Sequence, residues 1–78
     1  MTLTGTNPIM KKRTEIIDEL KRARKEKGLS QRELAELSGV SQPVIARMES
    51  GTNSPQLDTV LKVLAPLGKT LYVGDLQS

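Results

Sequence analysis

Apolar side chains at Ile16, Ile17, Leu20 and Ala23 recur at helical spacing, which predicts a first helix over about residues 14–27, closed by Gly28. Directly after it, Ser30 and Glu33 stand at the spacing of a capping box, in which the serine hydroxyl and the glutamate each satisfy one backbone N–H of a helix start. A short second helix over residues 31–38 follows, with Leu34 and Ala35 inward and Gly39 as its stop. Ser41 caps a third, whose first turn holds Gln42 and Pro43 and whose inner side holds Ile45 and Met48, up to Gly51. A proline there sacrifices no hydrogen bond, because first-turn N–H groups have no intrahelical acceptor, and the Ser41 hydroxyl is expected on the Val44 amide. Ser54 as cap, Pro55 at the first position and Asp58 in the first turn begin a fourth helix. Its apolar stripe is Leu57, Val60, Leu61, Leu64 and Leu67, and Gly68 ends it. The period then changes. Leu71, Tyr72 and Val73 are strand formers bounded by Gly68 and Gly74. A lone strand cannot satisfy its backbone, and no second strand is legible, so this one needs a partner from elsewhere. Residues 1–12 lack any period and read as a loose tail.

Composition narrows what such a chain can do. Seventy-eight residues suit one domain with a small core, worth about 3–5 kcal/mol alone, so oligomerisation is a natural supplement. With neither cysteine nor histidine, the chain lacks disulfides, thiolate metal sites and the commonest general base; no cofactor or metal is expected. Its one aromatic residue, Tyr72, cannot make a platform for stacking single-stranded bases. No apolar run has the length of a membrane span and no signal peptide is legible, which suggests the cytoplasm. Residues 11–27 hold eight of the twelve basic side chains and four of the nine acidic ones. That is either a face for a polyanion or an ordinary solvated helix.

The second and third helices are joined by the three-residue turn Gly39-Val40-Ser41, which is helix-turn-helix spacing. Ala35 is small enough for close crossing, and Leu34, Val40, Ile45 and Met48 make an inner wedge. Around them "LSQRELAELSGVSQPVIARMESG" resembles the Cro and phage-repressor, or Xre-type, family over about residues 17–67. Ser38 departs from it, where the family often has a more apolar residue. The resemblance implies an all-α, lambda-repressor-like domain of four to five short helices over residues 13–68. The flanking parts are the tail at 1–12 and a strand and dimerisation segment at 69–78.

It also implies roles. Gln42, Pro43 and Arg47 match the family's base-facing positions on a helix lying in the major groove of double-stranded DNA. Pro43 either touches a thymine methyl or only stiffens the helix start. Gln31 matches a phosphate contact at a helix N-terminus; Ser41, Asn53 and Ser54 are further phosphate candidates, and Arg32 either reaches phosphate or is solvated. Arg24 and Glu49 match an ion pair joining the first helix to the third. The C-terminal "LAPLGKTLYVGDL" is similar to that of repressor-type antitoxins, in which such a strand pairs with its copy, making Leu71, Tyr72 and Val73 the dimerisation residues. The implied function is a homodimeric, sequence-specific repressor on a near-palindromic operator, autoregulating as the antitoxin of a toxin–antitoxin pair. Alternatives are a stand-alone or phage-type repressor, or a protein-interaction module without DNA binding. An enzyme is not expected, because no nucleophile–base pair or metal site is legible.

Overall fold

A computed structural model describes residues 8–52 and 54–75. Four helices follow one another: α1 (Pro8–Glu26), α2 (Gln31–Ser38), α3 (Gln42–Ser50) and α4 (Leu57–Leu64), with a 3-10 turn over Ala65–Leu67. Ile17, Leu20 and Ala23 of α1, Leu34 of α2, Val40 of the turn, Ile45 and Met48 of α3 and Val60, Val63, Leu64 and Leu67 from the C-terminal part form a single buried cluster. α2 packs on α3 and α4, while α1 packs on α3 and on the 3-10 turn.

The α2–turn–α3 unit forms as its local chemistry dictates. Ser30 Oγ accepts from the Glu33 amide at 3.0 Å, and Glu33 Oε1 accepts from the Ser30 amide at 2.8 Å, so the box is closed in both directions. Gly39 takes the left-handed conformation (φ 75°, ψ 10°), which a side chain would resist, and turns the chain towards α3. At Ser38, where the family often has a more apolar residue, the half-buried hydroxyl accepts from the Val40 amide at 3.2 Å and donates to the Ala35 carbonyl at 3.4 Å. The polar group is thus accommodated inside the turn.

Several expectations are corrected. α1 starts at Pro8, well before residue 14, so part of the expected tail is helical; residues 1–7 lie outside the described residues. Proline is pre-set for a first helical turn, and the Lys and Arg side chains that follow are good helix formers that need no apolar stripe. Ser41 precedes α3 as expected but makes no side-chain cap. Its backbone (φ −64°, ψ 149°) is extended, as that of Ser30 is (φ −77°, ψ 165°), but its hydroxyl does not accept from the Val44 amide. Nor does Ser54 cap α4, which is led instead by Gln56 and starts at Leu57 after an extended Pro55-Gln56 step. The α-helix ends at Leu64, because Pro66 has no N–H to offer the Lys62 carbonyl; the chain tightens into the 3-10 turn and stops at Gly68. The buried stripe also differs from the expected one: Leu57 and Leu61 face solvent, and Val63 is fully buried.

Residues 69–75 form no strand in the single chain. The Lys69 amide donates to the Leu64 carbonyl at 3.1 Å, and the Lys69 ammonium lies 3.7 Å from a Glu19 carboxylate oxygen, which holds the segment against α1. Leu71, expected at a dimer interface, is half-buried against its own core. Tyr72 and Val73 are exposed.

Candidate nucleic-acid interface

Behind α3 lies a polar brace. Arg24 on α1 meets Glu49 on α3 in a two-pronged pair, Nε to Oε2 at 2.7 Å and Nη2 to Oε1 at 2.9 Å. The third prong, Nη1, donates to the Leu29 carbonyl at 2.8 Å, just before α2. Gln31 adds a fourth contact, its Nε2 donating to Glu49 Oε1 at 3.1 Å. The two charged side chains are only 11 % and 5 % exposed, so water competes little for them. Burial alone would push the Glu49 carboxyl up; the hydrogen bonds from Arg24 and Gln31, with the charges of Arg24 and Lys21, outweigh it and hold it below its ordinary value. The bond to Glu49 raises Arg24 further above its already high value, against the opposing effect of burial. Both groups therefore stay charged, and the fork geometry fixes α3 against α1 and against the start of α2.

The opposite side of α3 is open. Ile45, Met48 and Glu49 point inward, while Gln42, Pro43 and Arg47 are exposed. Half-buried Ala46, one turn after Gln42, and exposed Ser50, at the C-terminal end, border this side; neither stood out in the apolar pattern, although their spacing from Gln42 and Arg47 places them there. Among the described residues the Arg47 guanidinium has no carboxylate partner. Instead its backbone carbonyl is held from the C-terminal end, where Ser50 Oγ and Thr52 Oγ1 donate to it at 2.9 and 3.3 Å. The base-facing candidates thus form one contiguous, polar and unpaired face on a helix whose back is clamped.

The phosphate candidates divide. With Ser30 and Glu33 serving each other, the Gln31 and Arg32 amides at the start of α2 are left without intrahelical acceptors, so Gln31 offers an anion its backbone N–H while one side-chain N–H is spent on Glu49. Ser41 is exposed with its hydroxyl unspent on capping. Ser54 is exposed and accepts at Oγ from Arg13 Nη1 at 2.7 Å. Asn53 lies outside the described residues. Arg13 itself has no signature in the apolar pattern and was missed; only the length of α1 brings it to the loop.

Comparison with known proteins agrees with this geometry. The Helix-turn-helix family model HTH_3 matches residues 20–73. An uncharacterised HTH-type transcriptional regulator of Haemophilus influenzae is 56 % identical over 61 residues, covering 78 % of this chain and 62 % of that protein. The chain therefore spans less than two thirds of that relative. Among solved structures, a toxin–antitoxin module from Streptococcus pneumoniae is 61 % identical with a TM-score of 0.79, over 96 % of this chain and 85 % of that one. An HTH_3 family transcriptional regulator from Vibrio cholerae is 34 % identical with a TM-score of 0.68, over 74 % of this chain and 33 % of that one. A clamped third helix, a glycine-turned link from the second, and a family match over most of the chain lead to one conclusion: the chain belongs to the HTH_3, or Xre-type, helix-turn-helix family.

Proposed function

We propose that this protein is a sequence-specific DNA-binding transcriptional repressor that acts as the autoregulating antitoxin of a toxin–antitoxin pair. The observation that carries DNA binding is the outer face of α3, where Gln42, Pro43 and Arg47 stand exposed on a helix braced from behind by Arg24, Glu49 and Gln31. Glutamine can pair with adenine through two hydrogen bonds, arginine with guanine, and the proline edge can meet a thymine methyl. The amides at the start of α2, with Ser41, Asn53 and Ser54, are the phosphate contacts that hold the helix in register. Such a repressor works in the cytoplasm, where operator DNA lies.

The homodimer and the near-palindromic operator belong to the same reading. What supports them is the segment after Lys69, which among the described residues offers unpaired backbone and the exposed side chains of Tyr72 and Val73. The antitoxin version is favoured by the likeness to the pneumococcal toxin–antitoxin module, and its partner is a toxin encoded beside it. The likeness to the Haemophilus and Vibrio regulators supports a second version, a stand-alone repressor. A pure protein-interaction module would be favoured by an acidic or apolar α3 face, and this face is neither.

The test is a titration on duplex DNA from upstream of the protein's own gene, against a scrambled duplex, at stated salt. Tight binding to the native duplex alone is expected; equal binding to both overturns sequence specificity. Co-expression with the neighbouring small gene decides the second question. A stable complex and rescue of growth are expected from an antitoxin, and a toxin-free gene neighbourhood leaves the stand-alone repressor.

A further inference from the structure

Arg13 is a basic residue that the helix-turn-helix motif does not account for. Its guanidinium crosses to a part of the chain 41 residues away, donating from Nη1 to Ser54 Oγ at 2.7 Å. Among the described residues no carboxylate pairs with it. The hydrogen bond leaves most of the guanidinium N–H donors unspent, and leaves the Ser54 hydroxyl proton free to be donated in turn. Helical spacing puts Arg13, Ile17, Leu20 and Arg24 on one side of α1, and Ile17 and Leu20 are buried there, so this side faces the rest of the domain. Arg13 and Arg24 are eleven residues apart, about 16 Å along the axis. The Arg24 end is fastened to Leu29 and Glu49, beside the start of α2, and the Arg13 end to the loop just beyond the C-terminus of α3. The face of α1 thus runs from beside the start of α2, one expected phosphate site, to the loop that carries Ser54, another.

We propose that Arg13 and Ser54 form a phosphate clamp that grips the DNA backbone on the side of the groove opposite the α2 N-terminus. This rests on the DNA-binding reading above and extends it to a residue outside the motif. The clamp carries no base information; it supplies affinity and register. Arginine suits the role, because its planar fork can hold the serine and a phosphate oxygen together.

The experiment compares wild type, Arg13→Ala, Arg13→Lys, Ser54→Ala and Arg22→Ala on the upstream duplex and a scrambled duplex, across a salt series, with thermal melting in parallel. Arg22 is the charge control: it lies on the far side of α1, paired with Glu19. Arg13→Ala should weaken both duplexes by the same several-fold factor and lower the salt slope by about 0.9. Arg13→Lys should recover part of the loss, and Ser54→Ala should show a smaller loss of the same kind. Arg22→Ala should leave the slope near that of wild type, and all variants should melt as wild type does. An Arg13→Ala slope equal to wild type, or one matched by Arg22→Ala, overturns the clamp while leaving the DNA-binding reading intact. A wild type that binds neither duplex overturns both.

Discussion

At the scale of single residues, α3 carries two kinds of arginine chemistry on opposite sides. Arg47 faces outward without a partner, and Glu49 faces inward bound to Arg24 and Gln31, so their substitutions should separate cleanly. Arg47→Ala should cost about 1–3 kcal/mol of operator binding and relax the preference at one base-pair position per half-site. Selection from a randomised duplex library reads that directly; a preference unchanged at every position would make Arg47 a phosphate or packing residue. Glu49→Ala should leave binding-face chemistry intact but cost about 3 kcal/mol of folding stability, because it strands a guanidinium that is 11 % exposed. Glu36→Ala, on the exposed side of α2, should stay within about 0.5 kcal/mol. Equal small effects in denaturant titrations would remove the brace from the account. The same carboxylate sets a pH dependence. Its value is lower in the folded chain than in the unfolded one, so its stabilisation is complete above the unfolded value near about 4.3 and is lost as pH falls through the folded value. Melting temperature should therefore drop on acidification below about pH 4.5, and drop less steeply in Glu49→Gln. A parallel fall in both would assign the acid lability to other carboxylates.

At the scale of elements, what could be read in advance was what neighbouring residues decide among themselves. The bounds of α2, its capping box and the left-handed Gly39 follow from a few adjacent positions, and all are as the residues imply. The start of α1 was illegible because Pro8 and the run Lys11-Lys12-Arg13 interrupt the apolar period that begins at Ile16. The start of α4 was misread because Ser54-Pro55 mimics a cap. Its hydroxyl is instead engaged by Arg13, a partner 41 residues away that no local pattern shows. Gln31 is similar: its likeness to a phosphate contact was visible, but its bond to Glu49 depends on how α2 and α3 cross. The turn itself gives a test at this scale. Gly39 has φ 75°, yet an added Cβ would meet nothing within 4 Å, so a substitution there reports backbone strain alone. Gly39→Ala should destabilise by about 1 kcal/mol, and Gly39→Asn by less, since asparagine tolerates the left-handed region better. Denaturant titration checks both; identical costs would mean that the turn relaxes to another conformation.

At the scale of the whole molecule, the proposed repressor role raises the question of how a small domain would read an operator tightly enough. One recognition helix buries too little surface, and two joined by a two-fold axis turn the second binding event into an intramolecular one. The segment after Gly68 is the candidate joint. Among the described residues, positions 70–75 have no backbone hydrogen-bond partner, and Tyr72 and Val73 are 91 % and 104 % exposed. Antiparallel pairing with a copy would satisfy that backbone and cover those side chains. Leu71 is already half-buried in its own core and Lys69 lies beside Glu19, so the joint would be attached to the domain chiefly through Leu71. That attachment matters, because the recognition helices must present themselves to successive major grooves about 34 Å apart. The division of labour within the segment allows a cleaner experiment than removing it. Deletion of residues 69–78 should give a monomer, but it also strips Leu71 from the core. The double substitution Tyr72→Lys with Val73→Lys leaves Leu71 in place and puts like charges across the proposed pairing. It should sediment as a monomer with undiminished helix content. Half-site DNA should bind as before, and full-site DNA should bind about a hundredfold or more weakly. A double variant that remains a dimer at full-site affinity would move the interface to the exposed side of α4, where Leu57 and Leu61 face solvent.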